Sequence, residues 1–197
     1  MLLDIVVLPP ANIRQKVGQA ILRATRGADC KYVVDNKKLI PHVSLFHIRT
    51  SQRRLKLIEQ QVKSVLGQYK ATVLMSQEVD VDDSLTLWLN SPPKLEYFKN
   101  KIVRACASVR LGPMPYVSKH VPTKLIKRYR AIYGVHYNIG HFFKPHITLG
   151  KLKKESDSST VKSRLGGFSC RFCAREIAIA QINRNHQVTR ILKRFRV

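Results

Sequence analysis

Two short stretches decide the fold: PHVSL at 41–45 and PHITL at 145–149. Each contains proline, histidine, an aliphatic residue, a hydroxyl residue and leucine in the same order. Successive side chains of a β-strand point to opposite faces, so the histidine shares a face with the hydroxyl residue two positions later. The copies lie about half the 197-residue chain apart. The repetition therefore predicts two similar halves, each presenting one imidazole and one hydroxyl to the same surface.

This pairing favours cleavage of a phosphodiester or cyclic phosphate. His42 and His146 are expected to form an acid–base pair, because an imidazole with a pKa near ~6.5 takes or gives a proton near neutrality. Ser44 and Thr148 are expected to bind the phosphoryl oxygens. Such a site needs no metal ion and no cofactor.

The two residues that follow the first motif have less certain places. Strand alternation puts Phe46 on the face of His42 and Ser44, where it would stack a nucleobase or pack in the core. The same alternation puts His47 on the core side or at a rim, where nothing pairs it with a motif.

Apolar periodicity along the chain predicts an α+β fold of two lobes, with antiparallel hairpins. A Ser-rich loop is expected at 155–160, and a hairpin turn near Asp82-Asp83. The predicted strands and helices are as follows: strands at 2–8, 38–48, 145–152, 176–182 and 188–197, and helices at 13–27, 51–68, 93–106 and 124–131.

The segment 113–143 is longer than most connections. It is expected to be either a lid or binding segment, or a loop with a short basic helix on the surface. Its aromatic residues and His136 are weaker candidates for base stacking. The side chains of interest are Lys119, His120, Lys124, Lys127, Arg128, Tyr129, Arg130, Tyr133, His136 and Tyr137.

Charge points to a polyanionic partner. The chain has 36 Lys and Arg against 12 Asp and Glu, a formal net charge of +24, and the basic residues are spread along it. Such a surface attracts RNA or DNA ahead of an anionic membrane. The alternative is a solvated surface that serves solubility.

The N-terminus and the cysteines indicate a cytoplasmic protein. The first ten residues, MLLDIVVLPP, are too short to span a membrane and contain Asp4, so they are interpreted as a first strand. Four cysteines without a secretory signal suggest free thiols in a reducing compartment. Cys170 and Cys173 have a zinc-like spacing, but on a strand they face opposite sides, so structural thiols are expected. We expect a monomer that binds no membrane.

The sequence resembles the LigT-like branch of the 2H phosphoesterase superfamily, labelled 2′-5′ RNA ligase or RNA 2′,3′-cyclic phosphodiesterase. The most specific match is FFKPHITLGKL at 142–152. The resemblance also covers the N-terminal strand and helix, PHVSL, LTLWLN with Trp88, EIAIAQINR at 176–184 and TRILKRFRV at 189–197.

The resemblance implies one bilobal domain over residues 1–197, with two antiparallel-rich sheets flanked by helices around a central cleft. It implies that His146 activates water on a 2′,3′-cyclic phosphate, that His42 protonates the 3′ oxygen, and that a 2′-phosphate remains. The reverse reaction would be 2′-5′ RNA ligation. Lys151 stands where the family usually has arginine and is expected to bind phosphate as a point charge. Alternation puts Lys151 opposite the His146 face unless Gly150 lies at a β-bulge.

Three other functions stay open at this point. A similar site would serve a 2′,5′-oligoadenylate phosphodiesterase or an exonuclease that trims RNA 3′ ends. From a different class, the chain would be a basic RNA-binding module that has no catalytic activity.

Overall fold

Two antiparallel sheets form the centre of the fold. The computed structural model describes residues 1–82, 84–115, 123–135 and 139–197, without the side chain of residue 141. The strands of this part of the chain are β1 (Leu2–Val7), β2 (Cys30–Val33), β3 (Val43–Arg49), β4 (Thr72–Val81), β5 (Leu85–Leu89), β6 (His146–Leu152), β7 (Arg171–Ala174), β8 (Glu176–Ile182) and β9 (Val188–Arg196). One sheet has the order β3-β1-β8-β9, and the other has the order β2-β6-β5-β4-β7.

Five α-helices of the described residues pack around these sheets: α1 (Ala11–Ala24), α2 (Leu55–Leu66), α3 (Pro93–Ala107), α4 (Lys124–Tyr133) and α5 (Ser158–Leu165). The paired helices α2 and α3 lie against the four-stranded sheet through β3, whereas α1 and α5 lie against β6 and β4 of the other sheet. One hydrophobic cluster contains residues of both sheets. No helix of the described residues is long and apolar enough to cross a membrane.

The predicted α+β fold is confirmed, with three differences. The strand expected at 38–48 begins only at Val43, after Pro41. The strand β2 was not predicted, because its four residues are mostly half-buried and show little apolar alternation. The Ser-rich loop expected at 155–160 is wrong, because helix α5 begins at Ser158. Val161 and Leu165 are buried at helical spacing, and this packing outweighs the weak helix propensity of serine. The single-domain and monomer predictions stay predictions.

Each motif strand contains a one-residue bulge at the same place. On β3, Ser44 pairs with Val6 and Phe46 pairs with Ile5, so Leu45 is the extra residue.

On β6, Thr148 pairs with Thr86 and Gly150 pairs with Leu85, so Leu149 is the extra residue. The bulge moves the next residues to the other face. The repeat thus extends from five residues to seven, 41–47 and 145–151, and the last residue of each copy returns to the face of the histidine.

The bulge explains why position 150 is glycine. A Cβ atom there would lie 2.9 Å from the backbone oxygen of Tyr32 on the neighbouring strand β2. Phe46 is the corresponding residue of the first copy, and it has room because β3 is the edge strand of its sheet.

We expect Gly150→Ala to lower the free energy of unfolding by about 1–3 kcal/mol, since backbone must shift to admit the methyl group. Gly67→Ala is the control, because a Cβ atom at Gly67 meets no atom within 4 Å. Urea denaturation of both variants checks this. Equal stability of the two variants would contradict the close approach of β2 and β6.

Candidate active site

The two motif histidines are held in the same way. His42 Nδ1 lies 2.8 Å from the carbonyl oxygen of Ile40, and His146 Nδ1 lies 2.8 Å from that of Lys144. A carbonyl only accepts, so each Nδ1 carries the hydrogen and donates it. Each neutral ring therefore has the lone pair on Nε2. Strands β3 and β6 come together across the two sheets, which brings the two rings into one site.

Burial keeps both rings neutral. It lowers the pKa of His42 to about 4, while the Ile40 carbonyl raises this pKa and charge on His146 lowers it. Burial likewise lowers the pKa of His146, and the Lys144 carbonyl partly offsets this effect. Since the charge of one ring disfavours charge on the other, the pair favours at most one imidazolium.

Ser44, Thr148 and Lys151 lie on the faces of the motif histidines. Ser44 Oγ donates to Asp4 Oδ2 at 2.6 Å. Thr148 is half-buried and pairs across the strands with Thr86. Lys151 is also half-buried, and the bulge puts it on the face of His146 and Thr148. Lys151 was expected to share the face of His146 only if the strand has a bulge at Gly150. The bulge is present, with Leu149 as the extra residue.

Phe46 packs in the core, which was one of its two alternatives, whereas its predicted face and its role in stacking a nucleobase are wrong. The bulge at Leu45 turns Phe46 to the face of Ile5, where it is fully buried in the core. A ring in that position does not reach a nucleobase in the cleft.

His47 takes the site-facing position instead, and sequence reasoning missed it. His47 pairs across the strands with Asp4, and its Nε2 lies 3.3 Å from Asp4 Oδ2. Burial lowers the pKa of His47 well below its usual range, and His186, His42 and His146 lower it further. The expectation that His47 has no link to a motif is wrong for the same reason, the bulge.

Asp4 is the second residue that sequence reasoning missed. Its carboxyl group has no solvent exposure, and its Oδ2 lies 3.7 Å from His42 Nε2. Burial raises the pKa of Asp4 to about 8, against smaller lowering effects of the Ser44 hydroxyl and the Phe46 backbone amide. A signal was present in the sequence, because Asp4 is a single acid among apolar residues in LLDIVV.

Two further rings pack against histidines of the site, Trp88 against His146 and His186 against His47. Trp88 pairs with His146 across the strands, and their ring centroids lie 5.2 Å apart in an edge arrangement. The ring centroid of His186, in the turn between β8 and β9, lies 5.1 Å from that of His47. Burial lowers the pKa of His186 as well.

The basic segment contains the surface helix that was one of its two alternatives. Helix α4 exposes Lys124, Lys127 and Arg128. Its two tyrosines are half-buried and pack on each other edge to face, with centroids 6.0 Å apart. The predictions for Lys119, His120, His136 and Tyr137 concern residues outside the described ranges.

The cysteines are free in the structure. Cys170 is buried just before β7, and Cys173 is half-buried on that strand. Within the described ranges, no three His, Cys, Asp or Glu side chains form a group that could hold a metal ion.

Solved structures with this fold cover nearly the whole chain. A protein of Thermus thermophilus has a TM-score of 0.63 at 13% identity, covering 100% of this chain and 97% of that chain. Escherichia coli LigT complexed with 3′-AMP has a TM-score of 0.61 at 14% identity, covering 99% and 97%. A protein described as a phosphoesterase has a TM-score of 0.56 at 15% identity, with the same coverage. No protein-family model matches the sequence, and no curated protein does. The LigT-like fold is therefore confirmed.

The raised pKa of Asp4 predicts how stability depends on pH. An unfolded aspartate titrates near ~3.9, so between about pH 4 and pH 8 the folded state binds one more proton than the unfolded state. The extra proton on Asp4 therefore contributes fully to the free energy of unfolding below about pH 4, and this contribution is lost as pH rises to about 8. We expect the melting temperature of the wild type to fall from pH 5 to pH 9 relative to that of Asp4→Asn.

Scanning calorimetry of both proteins in one buffer series measures this difference. The effect of the large net charge on the melting temperature is nearly the same in both proteins and cancels in the comparison. Asp80→Asn, at a half-buried position of β4, is the matched control. If the melting temperatures of Asp4→Asn and the wild type changed with pH in the same way, Asp4 would not be a buried, protonated carboxyl group.

Proposed function

We propose that this chain is a metal-independent phosphoesterase of the 2H kind, which hydrolyses 2′,3′-cyclic phosphates of RNA or nucleotides to 2′-phosphates. One observation carries the proposal: two repeated, bulged strands from different sheets hold two histidines in the same tautomer in one site. General acid–base catalysis needs this arrangement, a base on one side of the phosphorus and an acid on the other.

The reaction follows from the two Nε2 atoms. His146 Nε2 accepts a proton from water, whose oxygen attacks the phosphorus atom. The bond from phosphorus to the 3′ oxygen breaks, and this oxygen takes the proton that His42 Nε2 gains when the anionic phosphate binds. A 2′-phosphate and a 3′-hydroxyl result, while His146 holds the proton that came from water. Reversal of these steps would be 2′-5′ ligation.

Side chains on the same face bind the phosphoryl oxygens in this scheme. Lys151 supplies a positive charge and Thr148 supplies a hydroxyl donor on the second motif. Ser44 becomes a donor to the phosphate when its hydroxyl rotates away from Asp4. The negative phosphate raises the pKa of a nearby histidine, which opposes the effect of burial on His42.

Known structures support a nucleotide-sized substrate. LigT, which has the same fold, has been solved in complexes with 3′-AMP, NADP+ and ATP. A nucleotide in the cleft of this chain is proposed by analogy with those complexes.

Charge on the same face supports RNA over a free nucleotide. Ser44, Val6, Ala178 and Arg194 form one cross-strand row, so the exposed Arg194 shares the face of the site at the far edge of the sheet. Arg196 follows on that face. Val6 and Ala178, between the site and this edge, are fully buried, so an RNA strand would reach both guanidinium groups only at the β9 edge.

The free cysteines are consistent with a reducing compartment, and we propose that the protein is cytoplasmic.

We expect purified protein to hydrolyse 2′,3′-cyclic nucleotides in excess EDTA. His42→Ala and His146→Ala should each slow the chemical step at least ~100-fold, and the double variant should be little slower than the worse single variant, since the two residues act as a unit. Bis(4-nitrophenyl) phosphate has a leaving group that needs no protonation, so it should rescue His42→Ala alone. Single-turnover kinetics on both substrates measures these effects.

Loss of activity in EDTA with recovery on added metal would contradict the proposal, and rescue of His146→Ala alone would reverse the two roles. A 2′,5′-linked oligoadenylate and an RNA with a 3′-hydroxyl end belong in the same panel. Faster turnover of either substrate would favour the corresponding alternative enzyme. RNA binding without any turnover would favour the binding module.

The RNA path gives a separate prediction. We expect Arg194→Ala with Arg196→Ala to weaken RNA binding and to reduce the slope of log affinity against log salt by about 0.7 per lost phosphate contact. Turnover of a cyclic mononucleotide should not change. Lys193→Ala is the matched control, because Lys193 directly precedes these residues on the opposite face of β9 and pairs with Glu59 of α2, as Arg194 pairs with Glu176.

Filter binding at several salt concentrations measures both variants. Equal slopes for the two variants, or a flat salt response of the wild type, would show that this surface does not carry RNA.

A further inference from the structure

Among the described residues, the acidic group in the first half of the site has no counterpart in the second half. The register opposes Asp4 to His47, the last residue of the first repeat. Lys151 is the last residue of the second repeat, and the same register continued by one pair opposes it to Ser84. One half of the site therefore combines a carboxyl group with a titratable ring, and the other combines a hydroxyl group with a permanent cation.

A single oxygen atom of Asp4 contacts every polar side chain of the first half. Asp4 Oδ2 accepts the hydrogen bond of Ser44 at 2.6 Å, and it lies 3.3 Å from His47 Nε2 and 3.7 Å from His42 Nε2. The Nε2 atom of His42 is the one with the lone pair, because Nδ1 donates to Ile40. Asp4 Oδ2 thus lies near the lone pair of His42 Nε2, but 3.7 Å is longer than a hydrogen bond, so proton transfer requires the two groups to approach each other.

We propose that Asp4, with His47 beside it, is a positioning residue that stores a proton for His42 and so makes the first motif the acid of the reaction. This inference rests on the proposed function and adds the source of the acid proton. When the anionic phosphate enters, the proton moves from Asp4 to His42 Nε2, which leaves a carboxylate and an imidazolium. His42 then gives the proton to the 3′ oxygen. After the product leaves, His42 Nε2 takes a proton from solvent and passes it to Asp4, and His146 loses its own proton to solvent.

The surroundings of Asp4 favour the stored proton. No solvent reaches the carboxyl group, and a buried carboxylate without a cation is costly. The titratable groups around it are His42 and His47 on β3, His186 in the β8–β9 turn and His146 on β6, and burial lowers the pKa of all four. Because these rings are mainly neutral, the carboxyl group is the member of the cluster that holds a proton at neutral pH.

Arrival of the phosphate reverses this preference. The imidazolium of His42 would lie between two negative groups, the phosphate and the new carboxylate, and each raises the pKa of His42. Ser44 continues to stabilise the carboxylate if its hydroxyl stays on Asp4, and releases it if the hydroxyl turns to the phosphate. The same hydroxyl therefore links phosphate binding to proton transfer.

The sign of the pH dependence follows. The stored proton is present below about pH 8 and is lost as pH rises through that value. Wild-type kcat/KM on a 2′,3′-cyclic nucleotide should therefore fall above about pH 8. In Asp4→Asn, this alkaline limb should move to lower pH, because His42 must then take its proton from solvent with a pKa lowered by burial.

The test uses the full chain and two substrates. Asp4→Asn should lose about 10- to 100-fold on cyclic CMP at pH 7 and keep its activity on bis(4-nitrophenyl) phosphate, which needs no acid. His47→Gln should show a smaller loss with the same substrate dependence. Asp29→Asn, the same chemical change at an exposed aspartate that pairs with Lys153, is the control and should match the wild type on both substrates.

Equal losses on both substrates would assign Asp4 a structural role only, and no loss would remove it from proton transfer. A second readout does not need turnover. In protein with ¹⁵N-labelled histidine at pH 7, adding inorganic phosphate should protonate His42 in the wild type and not in Asp4→Asn. The same His42 shifts in both proteins would overturn the inference, whereas an inactive wild type with the expected shifts would remove the proposed function alone.

Discussion

A one-residue bulge in each motif strand is the constraint on which the rest of the site depends. Without it, alternation would bury the seventh residue of each repeat and expose the sixth. The extra leucines, Leu45 and Leu149, place His47 and Lys151 beside the histidines of their own strands. A bulge gives up part of the regular ladder, and such irregularities commonly occur next to active sites. Here the two halves of the chain contain the same irregularity at the same place.

The repeat makes the two halves alike in backbone, and a few side chains make them unlike in charge. Both histidines donate through Nδ1 to a carbonyl two residues earlier, so their Nε2 atoms are equivalent in the neutral state. The neighbouring carboxyl group of Asp4 and the cation of Lys151 then distinguish them. An acid and a base can therefore arise from one duplicated element, because the environment and not the residue type assigns the role.

Apolar periodicity was sufficient to predict four of the five described helices and most of the strands, and the repeated motif led to the proposed pairing of His42 with His146. It was insufficient for Phe46 and His47, because nothing in VSLFHI distinguishes a bulged strand from a regular one. Gly150 indicates a bulge in the second strand, and because the two motifs repeat, the same bulge could have been inferred for the first strand. Asp4 was noticed as a charge within an apolar strand, but its neighbours come from a strand about forty residues later, which alternation alone does not reveal.

The central claim is that both motifs bind one phosphate between them. A crystal structure of the protein with 2′-AMP, the kind of product expected from a cyclic phosphate, tests it most directly. Phosphate oxygens should lie within hydrogen-bond distance of Nε2 of both His42 and His146, with Lys151 and Thr148 bound to the same phosphate. A phosphate that contacts only one histidine, or that binds away from β3 and β6, would contradict it.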